Sequence, residues 1–351
     1  MASKGPFLDT LAGTPRSSPP IWLMRQAGRY LPEYREVRAQ VGGFLDLCYT
    51  PELAARVTLQ PIERFGLDAA IVFSDILVVA DALGVNVAFE EDRGPVLTPV
   101  CRRSDVDRLD VTRAVPRLAP VLETVRRVRA VLAPDVALIG FAGAPWTVAA
   151  YMVEGGASRD FVAVKRWAYA EPEGFAALID RIVAVSVDYL VGQVEAGADA
   201  LQVFDSWAGV LAPEAFERWC IAPTRRLVAA VRARVGPVPV IGFPRLAGAG
   251  VVAYAATTGI TAVGLDTTVP LAWARRALPE NVILQGNLDP VALLAGGHAL
   301  ADATRAILDV MAGRPFIFNL GHGVLPETPP EHVADLVRLV RGGRLARGDW
   351  P

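Results

Sequence analysis

The stretch PEGFAALIDRIVAVSVDYLVGQVEAGADALQVF, residues 172–204, decides the fold. Residues 172–195 repeat apolar side chains at helical spacing, and ALQVF (200–204) is an apolar run of strand length, interrupted only by Gln202, after a glycine-containing turn. A strand without polar alternation is covered on both faces, the condition of a parallel sheet lying between helices. The same unit recurs along the chain. Apolar or β-branched runs stand at IWLM (21–24), AAIVF (69–73), VALIGF (136–141), ALQVF (200–204), VPVIGF (238–243), TAVGL (261–265), VILQG (282–286) and FIFNL (316–320). Helical patterns fill the intervals, among them 50–65, 116–132, 172–195 and 213–234. Eight such units predict a closed, single-domain (β/α)8 TIM barrel. The rival open sheet would carry a glycine-rich phosphate turn after an early strand, and neither GxGxxG nor GxxxxGK occurs.

The interval between the second and third runs is longer than one helix needs. Within it, VNVAFEEDRGPVLTPV (85–100) alternates and predicts a β-hairpin turning near Asp92, Arg93 and Gly94. The expected layout is a loose tail over 1–18, one catalytic barrel over 19–341 and a loose tail over 342–351. A chain of 351 residues with 52% hydrophobic and 21% charged residues can bury a large core, which excludes disorder as its main character. The net charge of −2 gives no bulk attraction for nucleic acid. The N-terminus lacks an apolar signal region, and the most apolar segment, 131–153, is broken by Pro134, Asp135 and Pro145. A soluble cytoplasmic protein is expected, away from membranes.

The reactive residues are few. Cys48, Cys101 and Cys220 are scattered, His298, His322 and His332 crowd the C-terminus, and no CxxC, HxC or HExxH spacing exists, so no metal is expected. The cysteines read as reduced packing residues. The only lysines are Lys4, in the N-terminal tail, and Lys165, in a helical stretch, which argues against a Schiff base.

In a barrel of this kind the active site lies on the loops that follow the strands. The polar residues found there are Arg25, Gln26 and Arg29; Ser74 and Asp75; Asp205 and Ser206; Arg245; Asp266; Asn287 and Asp289; and His322 between Gly321 and Gly323. Pro145, Trp146 and Tyr151 follow the third run. Arg25 and Arg29, four apart, either clamp one anionic ligand or form an exposed ion-pair face. Asp75 either faces the mouth of the barrel or caps the next helix. His322 is the one histidine at a strand end, a ligand contact or a structural residue; His298 and His332 are expected at the surface. Tyr151 either brings a phenol to the pocket or packs as an aromatic, and Ser206 either contacts ligand or caps a helix. Trp146 and Trp207 read as pocket walls or core.

Four segments carry a resemblance. WLMRQAGRYLPEYR (22–35), FSDILVVADALG (73–84), GFAGAPWTVAAYMVEGG (140–156) and NLGHGVLPETP (319–329) are similar to segments of the uroporphyrinogen decarboxylase family, and the likeness runs from about 19 to 340. It implies a (β/α)8 barrel that forms a homodimer, uses no cofactor, and converts the four acetate side chains of uroporphyrinogen III to methyl groups, giving coproporphyrinogen III for haem and chlorophyll. Position by position it implies that Arg25 and Arg29 bind substrate carboxylates and that Asp75 faces the pyrrole N–H groups. Tyr151, Ser206 and His322 match further substrate contacts, Gln26, Ala27 and Gly28 supply backbone to the same loop, and Phe44 falls where the family has an aromatic near the substrate. Trp207 departs from relatives that have histidine there.

The chemistry agrees with the composition. Decarboxylating an acetate on a pyrrole needs an electron sink, and protonating a carbon of the pyrrole ring makes one in the substrate itself. A buried carboxylate such as Asp75 stabilises the resulting cation. Arg29, Asp75, His322 and an ordered water all stay open as the source of the ring proton, and Tyr151 stands with them as a catalytic candidate. Two other readings compete. Cobalamin-dependent methyltransferases share the barrel but hold zinc through histidine and cysteines, including a late HxC, whereas this chain has GHGV at His322 and no cysteine after Cys220. A non-catalytic tetrapyrrole-binding barrel would share the arginines, but Asp75 offers nothing to an anionic periphery.

Overall fold

The computed structural model of the chain describes residues 4–90 and 93–343. Nine strands are defined among them: β1 (Ala69–Ile71), β2 (Val87–Glu90), β3 (Gly94–Leu97), β4 (Ala137–Gly143), β5 (Ala200–Asp205), β6 (Val240–Pro244), β7 (Ala262–Gly264), β8 (Ile283–Leu288) and β9 (Phe316–Leu320). Seven make one parallel sheet in the order β1-β4-β5-β6-β7-β8-β9, with helices in the connections. Every residue of β4, β6, β8 and β9 is buried, as the unbroken apolar runs require of strands covered on both faces. β2 and β3 form a separate antiparallel ribbon with Val87 opposite Leu97 and Glu90 opposite Gly94; residues 91 and 92 of the expected turn, Asp92 among them, lie outside the described residues.

The first apolar run differs from expectation. Of 21–24 only Ile21 pairs as a strand, in a parallel bridge to Phe318 of β9. Phe318 N–H donates to Pro20 O at 2.8 Å and Trp22 N–H to Phe318 O at 3.3 Å, while Asp68 N–H donates to Ile21 O at 2.9 Å. The Asp68 carboxylate returns the contact by accepting from Ile21 N–H at 2.8 Å. The segment thus bridges β9 to the start of β1 through single bonds. It cannot extend the ladder because Pro19 and Pro20 have no N–H, and side chains take the next donors: Leu23 N–H goes to Gln26 Oε1 at 3.1 Å and Met24 N–H to Asn319 Oδ1 at 3.0 Å.

The helices follow the sequence pattern closely where proline marks the start. Pro172–Glu195 is one helix, and Pro51–Phe65 begins on Pro51 and stops at Gly66, whose φ of 62° is the left-handed C-terminal cap. The helix expected over 116–132 starts earlier, at Val111, because Asp110 Oδ1 accepts from the N–H groups of Thr112 and Arg113. The stretch 213–234 is a short helix, a π turn at Glu217–Ile221 and the helix Ala222–Val235, with Pro223 removing one helical donor at the junction.

Two expectations are corrected. The segment 1–18 is not loose throughout: Pro6–Leu11 is a helix, and Phe7 and Leu11, four apart, join Trp22, Ala69, Ala137, Ala200, Ala262, Ile283 and Ile317 in one buried cluster at the strand starts. His332 is not at the surface: it is 4% exposed, with Nδ1 3.0 Å from Leu293 O. It lies on the apolar face of the helix Pro330–Val340 and finds its polar partner in a neighbouring helix end. His298 is exposed, as expected. Residues 344–351, most of the expected C-terminal tail, lie outside the described residues. Among the described residues no helix is long and apolar enough to cross a membrane.

Candidate active site

The segments that leave the C-terminal ends of the strands gather the candidate residues at one edge of the sheet. Arg25 follows the Ile21 segment with φ 60°, an unusual backbone for a side chain of this size. Its side chain crosses the loop after β9: a Cβ added to Gly323 would lie 2.3 Å from Arg25 Cδ, so only glycine leaves room beneath the arginine. Met24 O accepts from Val324 N–H at 2.9 Å and ties the two loops together. Arg25 and Arg29 are both exposed and, among the described residues, neither guanidinium forms an ion pair, so the ion-pair alternative does not hold.

Gln26 is fully buried and its groups are spent on the loop itself. Oε1 accepts from Leu23 N–H, Nε2 donates to Ala69 O at 3.2 Å, its own N–H goes to Leu23 O, and its carbonyl accepts from Tyr30 OH at 2.7 Å. Gln26 therefore sets the shape of the loop on which Ala27, Gly28 and Arg29, all at least partly exposed, are presented.

Asp75 lies past β1, where Phe73 N–H is held by Thr58 Oγ1 at 2.9 Å. One carboxylate oxygen accepts from Leu77 N–H at 2.8 Å, a local turn ahead of the helix Val78–Ala82 rather than a side-chain cap on it. Burial raises the carboxyl above its ordinary range, against the opposing effects of the Leu77 N–H and the Arg25 charge. The electrostatics place it among Cys48, Tyr151 and Tyr189, each raised chiefly by burial and further by the Asp75 charge. Phe44 supplies an apolar wall nearby, its ring 5.8 Å from Phe73 and 4.7 Å from Phe89 of the β2–β3 ribbon.

Tyr151 lies on the helix Pro145–Glu154 that follows β4, with its ring 5.8 Å from Trp207. Ser206 and Trp207 follow β5 and are braced from below. Thr147 Oγ1 donates to Asp205 Oδ1 at 2.5 Å and accepts from Trp207 N–H at 3.1 Å. Cys220 Sγ donates to Asp205 Oδ2 at 2.8 Å, and Trp207 O accepts from Trp146 Nε1 at 2.9 Å. Asp205 is fully buried with no cation beside it, and burial pushes its carboxyl up to about 6, the two donors pulling the other way.

His322, after β9, is partly buried. Burial, then the charges of Arg25 and Arg245, lower its imidazole to about 4, with Asp266 opposing them, so it is neutral near pH 7. The remaining strand-end candidates serve the scaffold. Asp266 accepts from Leu246 N–H at 2.6 Å and Thr268 N–H at 2.9 Å; Asn287 Nδ2 donates to Asp266 O and Val269 O; Asp289 caps the helix Pro290–Ala295. One contributor escapes sequence reasoning, and a second gives only a weak signal. Thr147 gives no motif signal, because its partner Asp205 is distant in sequence. Arg245 is visible only as another polar residue after a strand.

The arrangement offers unpaired guanidiniums, a half-buried carboxylate whose charge is felt by Tyr151 and opposed by Arg25, and a neutral imidazole. That combination suits a polyanion on which positive charge develops during reaction.

Comparison with known proteins agrees. A family model described as uroporphyrinogen decarboxylase (URO-D) matches residues 2–343. A protein of Rhodospirillum rubrum named uroporphyrinogen decarboxylase is 53% identical over 339 residues, covering 97% of each chain. One of the same name from Granulibacter bethesdensis is 56% identical over 339 residues, covering 96% of this chain and 98% of its own. Among solved structures, a methyltransferase from Methanosarcina mazei superposes with a TM-score of 0.79 at 21% identity, covering 97% of this chain and 98% of its own, which shows a shared fold.

Proposed function

The chain belongs to the uroporphyrinogen decarboxylase family, and from that membership we propose that the residues around Asp75 remove carbon dioxide from the four acetate side chains of uroporphyrinogen III, giving coproporphyrinogen III. The activity is that of a carboxy-lyase in porphyrin biosynthesis. The observation that carries the site assignment is a half-buried carboxylate among the strand-end loops, within reach of the Arg25 charge, with one of its oxygens engaged by Leu77 N–H.

On this reading residues 19–341 form one (β/α)8 barrel in which the Ile21 segment is the eighth stave. The two-sided bonding of Ile21, to β9 and to Asp68 before β1, supports closure. The β2–β3 ribbon is then an insertion whose Phe89 stacks on Phe44 at the mouth. A homodimer in the cytoplasm belongs to the same reading and rests on the family likeness alone; light scattering on the purified protein tests the dimer.

The reaction follows from the placed groups. Arg25 and Arg29 take substrate carboxylates, and Ser206, with the backbone of Gln26, Ala27 and Gly28, completes the rim. The macrocycle's pyrrole N–H groups donate to Asp75, which favours its charged form against the burial that raises it. A proton added to the pyrrole α-carbon next to the acetate-bearing carbon makes the ring cationic and conjugates the acetate methylene with that cation. The bond to the carboxylate then breaks, its electron pair enters the ring, and carbon dioxide leaves. A proton taken up by the exocyclic carbon completes the methyl group, and loss of the ring-carbon proton restores the pyrrole. Asp75 stabilises the cationic ring by pre-placed charge in a site largely screened from water. Tyr151 stays a neutral phenol, able to donate a hydrogen bond. His322 in the free protein is an uncharged imidazole, which disfavours it as an imidazolium proton donor.

Anaerobic incubation of the purified protein with uroporphyrinogen III, followed by oxidation and separation of the porphyrins, tests the function. Stepwise appearance of hepta-, hexa-, penta- and tetracarboxylate products is expected. Recovery of the octacarboxylate alone overturns it.

A further inference from the structure

β6 ends at Pro244, and the next residue carries a guanidinium with no part in the site so far. The backbone of Arg245 is fixed by three hydrogen bonds from two strand ends, those of β5 and β7. Its N–H donates to Asp205 O at 3.0 Å, its carbonyl accepts from Gly209 N–H at 3.0 Å, and the N–H of its neighbour Leu246 donates to Asp266 Oδ2 at 2.6 Å. Leu246 is held at φ 59°, a left-handed conformation that persists only where the surroundings enforce it. Gly209 permits the close packing of the loops, since a Cβ there would lie 2.3 Å from Leu246 O.

The side chain contrasts with this fixed base. Among the described residues the Arg245 guanidinium makes no hydrogen bond and no ion pair, although other arginines of this chain find carboxylates, as Arg117 does on Asp81 at 2.8 Å. It is partly buried, and its charge reaches both Tyr151 and His322, as that of Arg25 does. Along the pairing order Arg25 leaves the Ile21 segment and Arg245 leaves β6, so in a closed barrel they stand on opposite sides of the mouth.

We propose that Arg245 is a second carboxylate anchor, binding the side of the substrate remote from Arg25. The inference rests on the proposed function and adds a residue to it. A macrocycle held by arginines on one side only can pivot about that edge; an anchor across the mouth holds its centre over Asp75. The substrate's propionates survive all four decarboxylations, so the same anchor serves the intermediates.

The test compares wild type, Arg245→Ala, Arg245→Lys and Arg25→Ala in two measurements. Under anaerobic turnover, Arg245→Ala is expected to raise KM about tenfold or more with kcat within threefold, and Arg245→Lys to restore part of the loss. Without substrate, NMR titration of His322 is expected to move up from about 4 in Arg245→Ala, since one of the two cations that depress it is gone. A KM within twofold of wild type, or a His322 titration that does not move, overturns the proposal. Affinity for uroporphyrin, read by fluorescence, keeps the two claims apart. Wild type that binds it without decarboxylating uroporphyrinogen sinks the proposed function, and Arg245 then stands or falls on whether Arg245→Ala weakens that binding tenfold.

Discussion

At the scale of single residues, position at a strand end picks out Asp75, Tyr151, Ser206 and His322, and the structure brings them to one edge of the sheet. Sequence position cannot reveal which donors and acceptors are already spent. Gln26 reads as a loop residue near the ligand, yet its side chain and both backbone polar groups are consumed within the protein. Asp205 likewise resembles a catalytic strand-end carboxylate until Thr147 and Cys220 are seen to occupy its oxygens. Its environment gives a pH signature. The folded protein holds the Asp205 proton up to about 6, whereas the unfolded chain releases it near the ordinary 3.8, so between those limits the folded state binds more protons. Stability therefore falls as pH rises through that window, by about 3 kcal/mol from this group, and no further above it. Urea denaturation of wild type and Asp205→Asn at pH 4 and pH 7.5 should show wild type losing about that much relative to the variant. A difference between the two that is the same at both pH values contradicts the assignment.

At the scale of elements, the alternation of apolar runs and helical periods is legible because covered parallel strands and amphipathic helices leave different periods in the sequence. The first run is the exception: its ladder is cut short by Pro19 and Pro20 and by Gln26 and Asn319, whose side chains take the backbone donors. Pairings between side chains and distant backbone leave no such period. The brace beneath Ser206 and Trp207 is one of these, and it hinges on the Thr147 hydroxyl, which donates to Asp205 and accepts from Trp207 N–H. Thr147→Val keeps the shape and removes both bonds, stranding a buried carboxylate oxygen and a backbone N–H. The expected cost is about 1–3 kcal/mol in chemical denaturation, with weaker substrate binding through the loosened loop. A variant as stable as wild type would show that the brace carries no energy.

At the scale of the whole molecule, a net charge of −2 coexists with guanidiniums at the strand ends that no carboxylate neutralises: among the described residues Arg117, Arg129 and Arg226 pair with carboxylates, while Arg25, Arg29 and Arg245 form no ion pair. Composition excludes long-range attraction to polyanions but says nothing of where unpaired charge gathers. The opposite end of the sheet is closed by the N-terminal helix, with Phe7 fully buried among residues from the starts of several strands. Phe7→Ala is expected to destabilise the protein by about 3–5 kcal/mol, read as a lowered denaturation midpoint; a midpoint like that of wild type would make the helix an ornament. The central claim is that Asp75 acts on the cationic ring rather than on the fold. Its most direct test is the single-turnover rate of carbon dioxide release at saturating uroporphyrinogen, in Asp75→Asn against wild type. Asparagine can still accept from Leu77 N–H, so the loop should hold while the charge is lost. The account predicts a rate about 10²-fold lower or worse, and a rate within threefold of wild type would contradict it.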